Sequence, residues 1–340
     1  MLVRKLASRC CPDLAIAALT VLAALVSFAP ACADDDQYKG WFAALDAAMT
    51  QPNSLDQHYA NVSTSASGIL ERLVVDNKQK TTVRGSIGYD FGRDLGSLQA
   101  SYWSFDHDDS NESTQSGYVY PTLVGGNYNS VVYYGIAPPS SLTGRSKVKA
   151  RTLDIDYVRP MPVGEKLTIK WLTGLRSATF DEDLGFEDVG AFSTYLQNRH
   201  IDSKAIGIRL GATAVFGFTK HFSLEGSMAV SMLQAKTNAD GDQSPVPSPL
   251  AGSSVSSSDD HVRGEIRDYD LRAVWSYGRL DYYAGYSGST WEGLVANPLP
   301  APGCCNSGPA VERSRDSVSF NSLHAGIVWR FSPQKRPFRP

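Results

Sequence analysis

From residue 39 onward the chain alternates apolar and polar residues with period two, and no helical period competes over any useful length. Ten segments carry the alternation: Lys39–Met49, Thr81–Phe91, Ser97–Phe105, Val148–Val158, Lys166–Phe180, Lys204–Phe218, Phe222–Lys236, Arg263–Tyr277, Leu280–Trp291 and Val318–Phe331. Each is predicted to be a strand. The Ala-rich Lys39–Met49 is the weakest, because alanine has little preference for a pleated surface.

The gaps alternate as regularly as the residues. Gly92–Gly96, Arg159–Glu165, Thr219–His221 and Gly278–Arg279 are short. Thr50–Lys80, Asp106–Lys147, Asp181–Ser203, Thr237–Val262 and Glu292–Ser317 are long and rich in Ser, Gly, Asn and Asp. Short turns on one side and long loops on the other are the signature of an outer-membrane barrel. Closure is required in lipid, since an open sheet edge would leave backbone groups unsatisfied. The fold expected is an all-β, antiparallel transmembrane barrel of about ten strands, within a range of eight to twelve.

The two faces differ as such a barrel demands. Leu153, Ile155 and Tyr157 oppose Thr152, Asp154 and Asp156. Ile206, Ile208 and Leu210 oppose Arg209, and Leu323, Ile327 and Trp329 oppose Ser322, His324 and Arg330. Aromatics gather at the short-turn ends: Tyr89, Phe91, Tyr157, Phe216, Phe218, Phe222, Trp275, Tyr277, Trp329 and Phe331. A girdle of rings at the headgroup layer is the expected reading.

Composition narrows the class. Lys and Arg number 32 and Asp and Glu 35, a net charge of −3, which excludes a strongly cationic nucleic-acid binder. The N-terminus carries Arg4, Lys5 and Arg9, an apolar run from Ala15 to Phe28, and small residues at Ala31 and Ala33. This pattern predicts a signal peptide over 1–33, cleaved after Ala33. The barrel is then expected over 34–331, with a short Pro-rich basic tail over 332–340. Removing the leader leaves 29 basic and 34 acidic residues, and only Cys304 and Cys305 of the five cysteines. Export implies an oxidising compartment, so these adjacent thiols could pair with each other, bridge two molecules or bind a metal.

Several segments resemble a known family. ARTLDIDYVRP (Ala150–Pro160), LTIKWLTGLRSATFDE (Leu167–Glu182), FSLEGSMAVSML (Phe222–Leu233), LRAVWSYGRLDYYAGYSGSTWEGL (Leu271–Leu294) and LHAGIVWRF (Leu323–Phe331) resemble the Legionella major outer membrane protein family. The resemblance implies a porin-like, pore-forming barrel in the outer membrane of a Gram-negative cell, with no catalytic residues to transfer. Two features depart from it. Nine residues follow Phe331, where many such barrels end on an aromatic read by the assembly machinery, and the Cys304–Cys305 pair belongs to no recognised pattern.

The face assignment places Asp46, Arg84, Asp90, Asp154, Asp156, Lys170, Arg176, Arg209, Glu225, Asp270, Arg272 and Arg330 toward the lumen. Ten strands enclose a narrow interior, in which opposite charges would pair and fill the space. The lumen could therefore be a polar plug rather than the pore that the resemblance implies. Further strands from Gly68–Asn77 and Tyr118–Tyr134 would widen it. A third reading is an outer-membrane hydrolase of the omptin kind. It would draw on Asp106-His107-Asp108-Asp109 or Asp259-Asp260-His261, where an Asp–His pair could activate water, although neither cluster carries an omptin motif. No nucleotide or zinc spacing is present, and no cofactor is expected. The partners expected are outer-membrane lipid and lipopolysaccharide, the barrel-assembly machinery and a second copy of the chain.

Overall fold

The computed structural model describes residues 39–53, 58–63, 70–75, 78–92, 95–115, 118–121, 140–189, 194–246, 253–294 and 317–331. The leader, Cys304, Cys305 and the C-terminal tail lie outside the described residues.

Ten strands close one barrel. They are β1 (Gly40–Asn53), β4 (Lys80–Asp90), β5 (Ser97–Gln115), β7 (Ser140–Pro162), β8 (Leu167–Val189), β9 (Thr194–Gly217), β10 (Phe222–Val246), β11 (Ser253–Tyr277), β12 (Leu280–Glu292) and β13 (Ser317–Arg330). Each pairs antiparallel with its neighbour, and β1 closes the ring on both β4 and β13. The Ala-rich first segment is thus a barrel strand, held by two ladders rather than by its own propensity.

The described parts of the two regions that could have widened the barrel are not in it. β3 (Leu70–Val74) and β6 (Tyr118–Pro121) flank β2 (His58–Ser63) in a separate three-stranded sheet. They are too short to cross lipid, which takes about 9–11 tilted residues. The small sheet touches the barrel through β2 and β8.

Strand lengths divide the barrel into two walls, with β5, of 19 residues, as the step between β4 and β7. β12, β13, β1 and β4 have 13, 14, 14 and 11 residues. β7, β8, β9, β10 and β11 have 23, 23, 24, 25 and 25. The extra length runs into what the sequence read as long loops. On the short-turn side the boundaries match the pattern closely, and β11 and β12 join through a two-residue turn with Gly278 at φ 62°. An L side chain rarely adopts that angle.

Alternating exposure settles the faces. Leu45, Ile87, Leu98, Ile155, Leu175, Ile208, Met228, Leu271, Tyr282 and Leu323 are exposed on the outside. They form an apolar belt with the aromatics below it. Phe216, Phe218, Phe222 and Trp275 make a continuous chain of ring contacts at 4.8–6.2 Å across three strands. Trp41, Tyr89 and Phe91 make another at 5.1–5.3 Å. Among the described residues no helix is long and apolar enough to cross a membrane. Crossing is by strands.

Candidate functional site

The lumen is filled in two layers. The first is ionic. Arg176 on β8 donates twice to Asp154 on β7, at 2.6 and 2.7 Å, and reaches Asp268 on β11 at 2.7 Å. Arg209 on β9 joins Asp156 on β7 and lies 3.3 Å from the same Asp268. Ser289 donates to Asp268 at 2.7 Å and accepts from the Trp291 indole at 2.8 Å. Three carboxylates and two guanidiniums thus share one buried network, as charges must when taken out of water.

Next to it, Arg272 donates to Glu225 at 2.6 and 2.8 Å and covers the Tyr283 ring at 4.9 Å. Lys170 reaches Glu225 at 3.7 Å. His324 sits between Asp46 at 2.8 Å and Asp270 at 3.1 Å. Arg330 meets Asp281 at 2.5 Å, and Asp90 accepts from the Gly92 amide at 2.8 Å. Arg84 stands opposite Asp46 in register, on the inward face. All twelve charged residues assigned to the lumen therefore lie on the inner face. Asp268 and Asp281 were missed, although each shares the parity of an inward neighbour, Asp270 and Tyr283.

The second layer is apolar, and the alternation of the sequence did not predict it. Trp103, Phe105, Phe180, Ile266, Trp291, Val318 and Phe320 pack with small residues such as Ala150, Ala178, Ala205 and Ala235 into one buried cluster. Trp291 and Phe180 are 0% exposed, Phe105 1% and Phe320 2%. Their contacts cross the lumen. Phe180 on β8 meets Trp291 on β12 at 6.4 Å, with three strands between them around the ring. Trp103 on β5 meets Trp291 at 6.3 Å and Phe320 at 5.4 Å. The small alanines opposite are what let such large rings reach across.

The hydrolase clusters are split by the sheet. Strand alternation sends His107 and Asp109 inward and Asp106 and Asp108 outward, and Asp106 and Asp108 are exposed. His107 Nε2 lies 3.8 Å from Asp109 Oδ2, too far for a hydrogen bond, and Asp109 also faces Lys78 at 3.5 Å. Burial pushes the His107 imidazole below its ordinary pKa, against the pull of Asp109. The side chain of His261 lies outside the described residues.

Above the belt the outer face of the tall wall is charged. Asp181, Asp183 and His200 bring one ligand atom each within 4.8 Å of one another, with His200 Nδ1 2.6 Å from Asp183 Oδ1. Sequence spacing could not reveal this group, because His200 comes from a neighbouring strand.

The model of the Legionella pneumophila major outer membrane protein precursor family matches residues 36–301. The chain belongs to this family. It is an outer-membrane β-barrel protein of the Gram-negative type, as the family and the closed barrel together require. No curated protein matches its sequence. Among solved structures it is similar to the outer membrane protease OmpT of Escherichia coli, at 10% identity and a TM-score of 0.48, over 86% of this chain and 97% of that one. It is also similar to the toluene transporter TodX of Pseudomonas putida, at 10% identity and 0.28, over 90% and 92%. A third is a FadL homologue of Pseudomonas aeruginosa, at 9% and 0.22, over 88% and 91%. At these identities and scores the likenesses carry nothing about activity, and a protease and a transporter stand side by side.

Proposed function

We propose that this family member is a closed, non-enzymatic barrel that acts through its tall extracellular wall and loops rather than through a pore. One observation carries the reading: the cross-lumen cluster of Phe105, Phe180, Trp291 and Phe320, whose side chains have almost no solvent contact. Water-filled porins use 16–18 strands and leave the interior polar. Here ten strands surround an apolar layer stacked on an ionic one. A hydrated ion would have to pass aromatic rings that touch across the barrel, and the hydroxyls beside them, Ser203 and Thr237, are buried and bonded to each other.

The porin-like reading implied by the family resemblance makes the opposite claim, and planar-bilayer recording of the refolded protein decides between them. The closed barrel gives a flat baseline while running as a folded, heat-modifiable band on gels. Discrete and reproducible current steps from the same preparation would overturn it. The variant F180A/W291A sharpens the test, since removing both rings should turn current on. A hydrolase would instead show turnover lost in H107Q, and the closed-barrel reading expects no turnover to lose.

A further inference from the structure

We infer that the periplasmic rim beneath the tall wall holds the phosphate headgroups of anionic phospholipids in the periplasm-facing leaflet, through Arg159, Lys166, Lys220 and Arg279. The inference does not depend on whether the lumen conducts.

Three short turns in succession close the tall wall at its periplasmic end, after β7, β9 and β11. Arg159 stands near the end of β7, Lys166 just before β8, Lys220 at the tip of the second turn and Arg279 in the third. Arg159, Lys220 and Arg279 are exposed and Lys166 is half-buried. Among the described residues no ion pair joins any of the four to a carboxylate. The acid that these turns contain is Glu165, beside Lys166. Asp281, two residues after Arg279, is turned inward to Arg330. Elsewhere on this rim the sequence nearly balances its charge. Arg93 adjoins Asp94, and the chain ends that leave the rim carry Asp34, Asp35 and Asp36 on one side and Lys39, Lys335, Arg336 and Arg339 on the other. The positive excess therefore gathers under the tall wall.

Each cation adjoins the aromatic girdle. Arg159 pairs in register with Trp171, whose ring meets that of Tyr157 at 5.7 Å. Lys166 precedes Leu167, which pairs with Phe216. Lys220 lies between Phe218 and Phe222, whose rings are 5.6 Å apart. Arg279 follows Tyr277, which is 72% exposed. Met161 and Val163, between Arg159 and Lys166, are exposed as well. Rings of a girdle sit at the headgroup layer, so a Lys or Arg one or two residues beyond them stands at the level of the lipid phosphates.

Charge and apolar surface together choose the occupant. Above the belt, Lys204 meets Asp202 and Arg267 meets Glu265 and Glu292. The four periplasmic cations have no such partners, and their counter-charge comes from outside the chain. A phosphate accepts two hydrogen bonds from the planar fork of Arg159 or Arg279 and meets the lysines as point charges. The acyl chains of the same molecule lie against Phe218, Trp171 and Met161. A soluble anion or anionic polymer would satisfy the cations and leave these apolar side chains in water. A phospholipid covers both.

Refolded protein in vesicles of brominated lipid tests the inference, because bromine on an acyl chain quenches a tryptophan beside it. Trp41, Trp171, Trp275 and Trp329 are exposed at the girdle, whereas Trp103 and Trp291 are buried in the lumen, so the signal reports the periplasmic end of the belt. In mixed vesicles the wild-type protein should select phosphatidylglycerol over phosphatidylcholine of the same chains by about fivefold. R159Q/K166Q/K220Q/R279Q should select neither, while K147Q/K149Q/K204Q, which neutralises cations on the opposite side of the belt, should keep the preference. Heat-modifiability establishes that each variant is folded. Should the quadruple variant not fold, R159Q/K220Q is expected to lose part of the preference. Equal quenching by the two lipids in the wild type would overturn the proposal, as would an undiminished preference in the quadruple variant or an equal loss in K147Q/K149Q/K204Q. Abolition of the preference by inorganic phosphate at constant ionic strength would assign the cations to a soluble anion instead. Cosedimentation with peptidoglycan, without any lipid preference, would assign them to the cell-wall polymer.

Discussion

The tall wall, β7 to β11, and the low wall, β12, β13, β1 and β4, cross the same belt with strands of different length. The low wall has 11–14 residues per strand, close to what lipid demands. The tall wall has 23–25. The surplus of about 12 residues, at ~3.3 Å each, extends roughly 40 Å along the strand. Spanning the membrane cannot account for it. Inside, the tall wall stays buried well above the belt, at Leu142, Leu184, Phe186, Ile201 and Ala239. Outside, the same strands turn charged. The low wall ends sooner, and above its own ion pairs, His324 with Asp46 and Arg330 with Asp281, it is fastened by hydroxyls: Thr50 lies 2.8 Å from both Thr82 and Ser322. One wall is therefore built to cross, and the other to cross and then present a surface.

Substitutions can break this contrast. Arg176 belongs to the tall wall, and R176M leaves three buried carboxylates with the single guanidinium of Arg209. Denaturant titration should show a loss of about 3–5 kcal/mol. D268N should cost clearly less, because Asp154 with Arg176 and Asp156 with Arg209 remain balanced. Equal losses would mean that the network does not act as counted charges. W291A removes the ring on which the two walls meet and should cost about 3–5 kcal/mol by the same measurement. In the low wall, T50V removes hydrogen bonds but no charge, and about 1 kcal/mol is expected. If T50V cost as much as R176M, the low wall would not be the simpler structure described here.

The smallest effect expected is one of pH. Burial lowers the folded-state pKa of His107, so the unfolded chain holds that proton more tightly. The contribution is complete above the unfolded value of about 6.5 and is lost as pH falls below it toward the folded value. Wild-type protein should thus lose stability between pH 7.5 and 5.5, and H107Q should lose less. An identical pH dependence in the two proteins would exclude this contribution.

Ten strands, their order and their faces were legible, because lipid on one side and charge on the other enforce strict alternation. The upper halves of the long strands were not. Above the belt the outward positions become Asp, Lys and Ser, as at Asp181, Asp183 and Lys204, and the contrast between faces disappears. The Gly68–Asn77 and Tyr118–Tyr134 regions do contain strands, but period two cannot say to which sheet a strand belongs. Facing pairs such as Asp154 and Arg176 could be assigned inward from parity, while their partner Asp268 could be found only by extending that parity along β11. The apolar layer was hidden for the opposite reason. Phe180 and Trp291 sit on inward positions among polar residues, where a binary pattern treats an aromatic as noise or as a strand end.

The ladder between β1 and β13 has a consequence for biogenesis. Thr50 and Ser322, 2.8 Å apart across it, are separated by 272 positions in the chain. Every other barrel ladder joins strands much nearer in sequence. This one waits for the last strand. Until β13 arrives, the growing sheet has two raw margins that hydrocarbon cannot solvate. A product that stops short of Ser317 has no way to complete the cylinder, because β1 then has no partner on that side.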